Sequence, residues 1–311
     1  MNISTAIFNK TGRLRSGWRA GIFFILWMVF SGTLGSIAYV LLGPGTPNAP
    51  SDIFRFAIYS AASLIPAILL GWLCGRWFEG LGFKALGASF SSGWFRHLIL
   101  GLSIGGLSMA FAVVIAATFG DFSLILAPNL DVSRLLMSLA ASFGVLAVAA
   151  AFEEAFFRGY PFQTLVRAGL AWPAMLLTAI FFGVVHLGNP SSGVISTVDT
   201  AIAGVLFSVA YLRSRDLWFP FGIHLMWNWM QGSVFGIEIS GMTELYATSI
   251  FKEIDNGPVW LTGGDYGIEG GIASTAALIL TGVFIYFAPI VKPDPELVEL
   301  TSRENPKVSE S

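Results

Sequence analysis

The sequence predicts an all-α, polytopic membrane protein, a bundle of about eight transmembrane helices with both termini cytoplasmic. Three observations predict it. Hydrophobic residues make up 55% of the 311-residue chain and charged residues only 12%, against about 25% charged in ordinary soluble domains. The chain divides into apolar runs of roughly 20 residues, the length a helix needs to cross hydrocarbon. When these runs are threaded alternately through a bilayer, Lys and Arg gather on one side, the side that stays in the cytoplasm.

The first run, near 21–42, follows a polar leader (1–20) carrying Lys10, Arg13, Arg15 and Arg19. It is too long for a signal-peptide core and lacks a small-residue cleavage site, so it reads as a retained span. Runs near 56–75, 98–120 and 135–152 follow. The fifth and sixth, 171–188 and 194–212, come from one long apolar stretch divided at Gly188-Asn189-Pro190-Ser191-Ser192-Gly193, a cluster that punctuates a helix. The seventh, 217–237, carries Pro220 where a helix start tolerates it. The eighth covers 270–291. With the N-terminus inside, Lys10, Arg13, Arg15, Arg19, Arg76, Lys84, Arg96, Arg158, Arg167, Arg213, Arg215, Lys292, Arg303 and Lys307 lie on the cytoplasmic side. Only Arg55, Arg134 and Lys252 lie outside, and adding or losing a span would spoil the asymmetry.

One transmembrane domain therefore fills 21–291, without a fixed-period repeat or a soluble unit. The connection 238–269, with Glu238, Glu244, Glu253, Asp255, Asp265 and Glu269 against Lys252, reads as a solvated outer loop. The tail 292–311, with Pro293, Pro295 and Pro306 among mixed charges, reads as disordered and cytoplasmic. A net charge of -2 leaves no basic surplus for phosphates, which excludes nucleic-acid binding. Cys74 is the single cysteine, so no intramolecular disulfide forms. The expected partners are the lipid bilayer and a membrane-associated peptide or protein; the sequence sets no oligomeric state.

An ionisable side chain in mid-span costs about 2.5–3.5 kcal/mol on insertion scales, so each one is a functional candidate. These are Glu153 and Glu154 at the end of the fourth run, His186 in the fifth, Asp199 in the sixth, and His224 with Asn228 in the seventh. His97, beside Arg96, is expected at an interface among headgroups and water. At 100° per residue Glu154 and Arg158 lie within about 40° of each other on a helix and can pair, whereas Glu153 lies roughly 140° from Arg158 and is free to point elsewhere. That nominates Glu153 as the chemical carboxylate and Glu154 with Arg158 as its support. His224 and Asn228, four apart, share one helical face. Each feature alone also fits an ordinary interfacial cluster or an interhelical hydrogen bond.

Together, a carboxylate, two imidazoles and an amide on three helices form a water-activating set. Glu153 can act as general base and later return the proton to a leaving amine. His186 and His224 can hold the water, or ligate a divalent ion such as zinc, and His224 with Asn228 can donate to an oxyanion. There is no HExxH motif, which makes the metal a separate expectation. A transporter built on an intramembrane relay is the rival class, and no inverted repeat supports it. A peptide-binding immunity or scaffold protein that does not cut is the other.

The words EExxxR (Glu153-Glu154 to Arg158), FxxxH (Phe182 to His186) and HxxxN (His224 to Asn228), in that order over about 150–232, resemble the CPBP family, also called Abi. Its members look like the type II CAAX prenyl endopeptidases and include bacterial proteins linked to bacteriocin processing or self-immunity. The resemblance implies an eight-helix fold, a glutamate-activated water with the first glutamate as base, a structural Arg158, and a cavity facing the cytoplasm, in a prokaryotic plasma membrane. On simple threading His186 lies 14 residues beyond Trp172, about 20 Å along a helix, too far out to meet Glu153. A fourth helix running past Glu153 toward Tyr160 is expected to bring them together. Asp199 is expected either to orient a histidine or to mark an outer interface.

Overall fold

The computed structural model describes residues 6–9, 12–43, 50–243 and 245–302, and Lys10, Glu244, Arg303, Pro306 and Lys307 fall outside them. All eight expected runs are helices: α1 (Ser16–Leu42), α2 (Pro50–Glu79), α3 (Trp94–Phe119), α4 (Val132–Phe157), α6 (Ala171–Val185), α7 (Val194–Ser214), α8 (Trp218–Trp229) and α9 (Ile272–Phe287), with a short α5 (Tyr160–Arg167) after α4. Six segments are long and apolar enough to span a membrane, α4 and α5 counting as one, and their outward faces carry bare Leu, Ile, Phe and Val side chains. The protein is an integral membrane protein. The remaining two helices are short: α9 has 16 residues, and α8 has 12 before a single π turn, Met230–Val234. α8 is largely buried within the bundle, whereas α9 leaves Ile279, Leu280, Val283, Phe284 and Phe287 on an outward face.

In lipid no hydrophobic effect drives helices together, so close backbone contact takes its place and small residues decide where it occurs. The tightest case is α3 on α8. Gly101 and Gly105, one turn apart, let α3 touch the α8 backbone so closely that a Cβ on Gly105 would lie 2.2 Å from the Ile223 carbonyl oxygen, and one on Gly101 2.4 Å from that of Phe219. This contact fixes the helix that carries His224. On the opposite flank α6 packs on α7 and α2 on α4.

The fourth helix does run past Glu153 toward Tyr160 as expected, though with a bend after Phe157. α4 ends at Phe157 and Gly159 turns the backbone into α5, where a Cβ would meet the Ala155 carbonyl oxygen at 2.0 Å. The bend keeps the α4–α5 unit inside the bundle, with Tyr160, Phe162 and Thr164 all buried.

The contacts sort the connections into two ends. At one end Arg19 and Arg167 converge on Glu79, with Arg19 Nη1 3.1 Å and Arg167 Nε 2.9 Å from Glu79 Oε1, all three side chains buried. Arg19 and Arg167 are thus not solvated flank charges, and α1 already begins inside the stretch expected to be leader. His97 is also buried rather than interfacial; its Nδ1 bonds Asp216 and its Nε2 meets the Lys292 carbonyl. The tail is ordered as far as a further helix, α10 (Pro295–Ser302), which buries Leu297 and Thr301.

At the other end, β1 (Phe122–Leu126) pairs antiparallel with β2 (Phe251–Asp255), Phe122 opposite Asp255 and Leu126 opposite Phe251. The 238–269 connection is therefore not a loose solvated loop. Ser138 on α4 bonds Thr248, Gly241 bonds Tyr266, and Ile237, Ile239, Leu245 and Ile268 are buried.

Replacing Glu79 with Ala leaves two buried arginines facing each other, and loss of one partner from such a cluster costs about 3–5 kcal/mol. Thermal unfolding in detergent should show that loss, while exposed Glu296→Ala should change little. Gly105→Leu forces α3 off α8 at a cost of about 1–3 kcal/mol. Its distinguishing signature is loss of whatever chemistry His224 performs at temperatures where the protein remains folded.

Candidate active site

Glu154 is the connector. Its Oε1 accepts from Arg158 Nη1 at 3.3 Å, the i, i+4 pair expected from the sequence, and from His224 Nδ1 at 2.9 Å. The residue that geometry nominated as support for Glu153 thus supports His224 as well. A carboxylate accepts only, so His224 Nδ1 is the protonated nitrogen and Nε2 faces away from Glu154. The imidazole lies flat on Phe207, ring centroids 4.6 Å apart at 16°, which fixes its plane.

Arg158 is fully buried. Besides Glu154 it donates to the Gly204 carbonyl at 2.9 Å, and its guanidinium sits 4.9 Å from the Phe182 ring and 5.0 Å from that of Phe207. Charge, hydrogen bond and aromatic faces together offset the desolvation of a cation held inside the bundle.

Glu153 points the other way, as its place on the helix requires. Its Oε2 lies 3.6 Å from His224 Nε2, too far for a direct hydrogen bond, and has no other partner among the described residues. A separation of this kind is one that a water bridges. The cavity between them has about 60 Å³ of room for water, where one molecule needs roughly 10–15 Å³. Glu153, His186, His224 and Asn228 all line it.

His186 reaches the same cavity from α6. Its Nδ1 donates to the Phe182 carbonyl at 2.6 Å, which leaves Nε2 toward the cavity. Phe182 stands between the histidines, 4.7 Å from the His186 ring and 6.1 Å from that of His224. The depth objection is met because the two line one cavity, Glu153 from four residues before the end of α4 and His186 from just beyond the end of α6.

Asp199 also lines the cavity but bonds neither histidine. It accepts from Ser274 and Thr275 on α9, tying α7 to that helix. The acidic connection contributes the residues sequence reasoning missed. Glu269 accepts from Trp227 Nε1 at 2.9 Å, from the Ser240 amide at 3.0 Å and from Ser240 Oγ at 2.7 Å, and it roofs the cavity with Ser240, Met242 and Leu245. The one signal available was Trp227, a polar-tipped aromatic beside Asn228 that needed an acceptor.

Among the described residues no three His, Cys, Asp or Glu side chains are grouped to hold a metal ion. His224 has Nδ1 committed to Glu154, so the expected pair His186 and His224 lacks the third protein ligand of a usual catalytic zinc site.

Residues 133–230, from the start of α4 through α8, match the family model described as Rce1-like, type II CAAX prenyl endopeptidase. This is the family to which the three motifs pointed, and its matched stretch contains every one of the four cavity-lining residues named first. It supports a CAAX-type intramembrane endopeptidase, a hydrolase, in general terms. No curated protein matches the chain.

The β1–β2 pair carries its own titration. Burial, and then the neighbouring Glu238 carboxyl, push Glu253 up to about 9. Its acid pKa rises on folding, so folding is unpenalised below the ordinary carboxylate range and loses stability as pH climbs toward 9. Glu253→Gln should match the parent near pH 4. At pH 9 it should be more stable by on the order of 1 kcal/mol after solvent screening, read from unfolding curves in detergent.

Proposed function

We propose that the protein hydrolyses a peptide bond of a membrane-associated substrate through a water activated by Glu153. The observation that carries this is the unpartnered Glu153 Oε2 facing an oriented His224 Nε2 across 3.6 Å of a water-sized cavity. Glu153 removes a proton from the water as its oxygen bonds the carbonyl carbon, and the carbonyl π electrons move to the oxygen. Asn228, one turn beyond His224, donates its amide N–H to that oxyanion, and His224 adds a second donor when protonated. Collapse of the tetrahedral intermediate breaks the C–N bond, and Glu153 passes its proton to the leaving amine. His186, with Nε2 toward the cavity, holds the water from the opposite wall. Arg158 and Glu154 touch no reacting atom; they position His224.

This division of roles is testable by kinetics on a lipid-embedded peptide library. Glu153→Gln should reduce kcat by about 10³-fold, within the roughly 10²–10⁴-fold contribution of a single general acid–base group. Glu154→Gln should lower kcat less, and His224→Ala should make a further change at Glu154 nearly without effect, since Glu154 acts through that ring. Equal processing by wild type and Glu153→Gln would eliminate the mechanism. The metal expected at His186 and His224 has its own outcome. Cleavage should survive chelation, whereas loss on chelation and recovery with zinc would place an ion on those histidines. A proton-coupled carrier would instead acidify vesicles without producing new peptide termini.

A further inference from the structure

α3 meets α8 along one buried stripe of four-residue steps, His97, Gly101 and Gly105. The two glycines seat against the Phe219 and Ile223 carbonyls, and His97 extends the seam to the start of α8. Its Nδ1 lies 2.5 Å from Asp216 Oδ2, with both side chains buried. The other Asp216 oxygen, Oδ1, accepts from the amides of Trp218 at 3.0 Å and Phe219 at 3.2 Å, the first two residues of α8. Amides in a first turn have no carbonyl partner within their own helix, so this carboxylate fastens the end of α8. His224 follows six residues after Trp218, about 9 Å along the axis.

The far nitrogen of the same imidazole holds the C-terminal segment. Nε2 lies 3.1 Å from the Lys292 carbonyl oxygen, and a carbonyl only accepts, so Nε2 carries a proton and donates it. Lys292 is the last of three alternate carbonyls after α9 that side chains of the bundle hold: Arg213 donates to Ala288 at 3.0 Å and Arg96 to Ile290 at 3.1 Å. Of these three donors His97 is the buried one, and its other nitrogen holds the residue that caps α8. Beyond Lys292, Asp294 accepts from the Ser92 amide at 3.2 Å and from the Glu296 amide at 2.9 Å, where α10 begins. Leu297 of α10 is fully buried.

We propose that His97 and Asp216 are positioning residues that couple the docked C-terminal segment to the seat of α8, so that α10 in place sets how His224 and Asn228 face Glu153. The catalytic half of this rests on the hydrolytic reading above, whereas the coupling does not. Undocking Lys292 leaves a buried Nε2–H without its acceptor, and the ring that turns to find another gives up its hold on Asp216. Coupling between two sites is reciprocal, so disturbing Asp216 loosens α10 by the same free energy. Whatever lifts α10 then lowers turnover without touching the cavity.

Hydrogen–deuterium exchange in detergent tests the coupling without activity. Leu297→Glu puts a charge on the buried face of α10 and should speed exchange at 217–223 at least about fivefold, the low end of typical coupling. Asp216→Asn, at a residue that bonds nothing in the tail, should do the same at 295–302. Residues 133–150 of α4 should exchange as in the parent in both variants. Asp294→Ala, at a partly exposed position, releases α10 more gently and should loosen 217–223 even where Leu297→Glu does not fold. Parental exchange at 217–223 once α10 is released, parental exchange at 295–302 in Asp216→Asn, or equal loosening of α4 would each overturn the coupling. Kinetics on one peptide of the lipid-embedded library then address the site. Leu297→Glu should lower kcat at least about fivefold with KM nearly unchanged, and in a His97→Gln background the same change should have almost no further effect. A raised KM with kcat intact would overturn the positioning role. A parent that cuts no peptide would sink hydrolysis and leave the coupling read by exchange standing.

Discussion

A guanidinium inside a membrane bundle must be neutralised where it lies, and the site is arranged around that constraint. Arg158 is buried to the last atom. Glu154 supplies the countercharge, and because one carboxylate oxygen can accept twice, the same Oε1 also holds His224. Burying the cation therefore orders the imidazole. The aromatic faces of Phe182 and Phe207 complete the arrangement, since each meets both the guanidinium and a histidine ring. A salt bridge of this kind is weak evidence for stability in itself; here its consequence is a fixed ring plane and a fixed tautomer next to a cavity.

That local order depends on helices that meet at the right separation. His224 comes from a short helix, which has little lipid-spanning length of its own to set its depth. Gly101 and Gly105 bring α3 onto its backbone, so its position follows from steric contact along one side and from the Glu154 bond on the other. The π turn that follows widens the helix at Met230–Val234, beyond Asn228, where the chain leaves the bundle for the connection that carries β2. Departures from regular α-helix commonly occur beside functional residues.

Much of this was legible in the sequence because it followed from period and polarity. Eight apolar runs gave eight helices, and the 100° step separated Glu153 from Glu154 correctly, one facing the cavity and the other facing Arg158. What escaped was tertiary. Nothing local distinguishes Arg19, which pairs with Glu79 in the core, from the exposed Arg15 about one turn earlier, because a partner 60 residues away decides it. Glu269 looked like one more acid on a polar loop, yet a tryptophan and a serine turn it into a closing contact. The loop's glycines and acids concealed a strand whose partner, β1, lies more than a hundred residues earlier.

The two acidic centres of the bundle show how burial divides structural carboxylates from chemical ones. Glu79 meets Arg19 and takes two hydrogen bonds from Arg167, one to each oxygen. Its charge is saturated, so it has nothing left to offer a substrate. Glu154 is committed to an arginine and a histidine. Glu153 and Glu154 each keep one oxygen, Oε2, with no donor among the described residues, but of the three carboxylates only Glu153 borders the cavity. An unsatisfied buried carboxylate is destabilising unless something arrives to use it. A water, and then the proton that the water gives up, would supply what the fold leaves open at that oxygen.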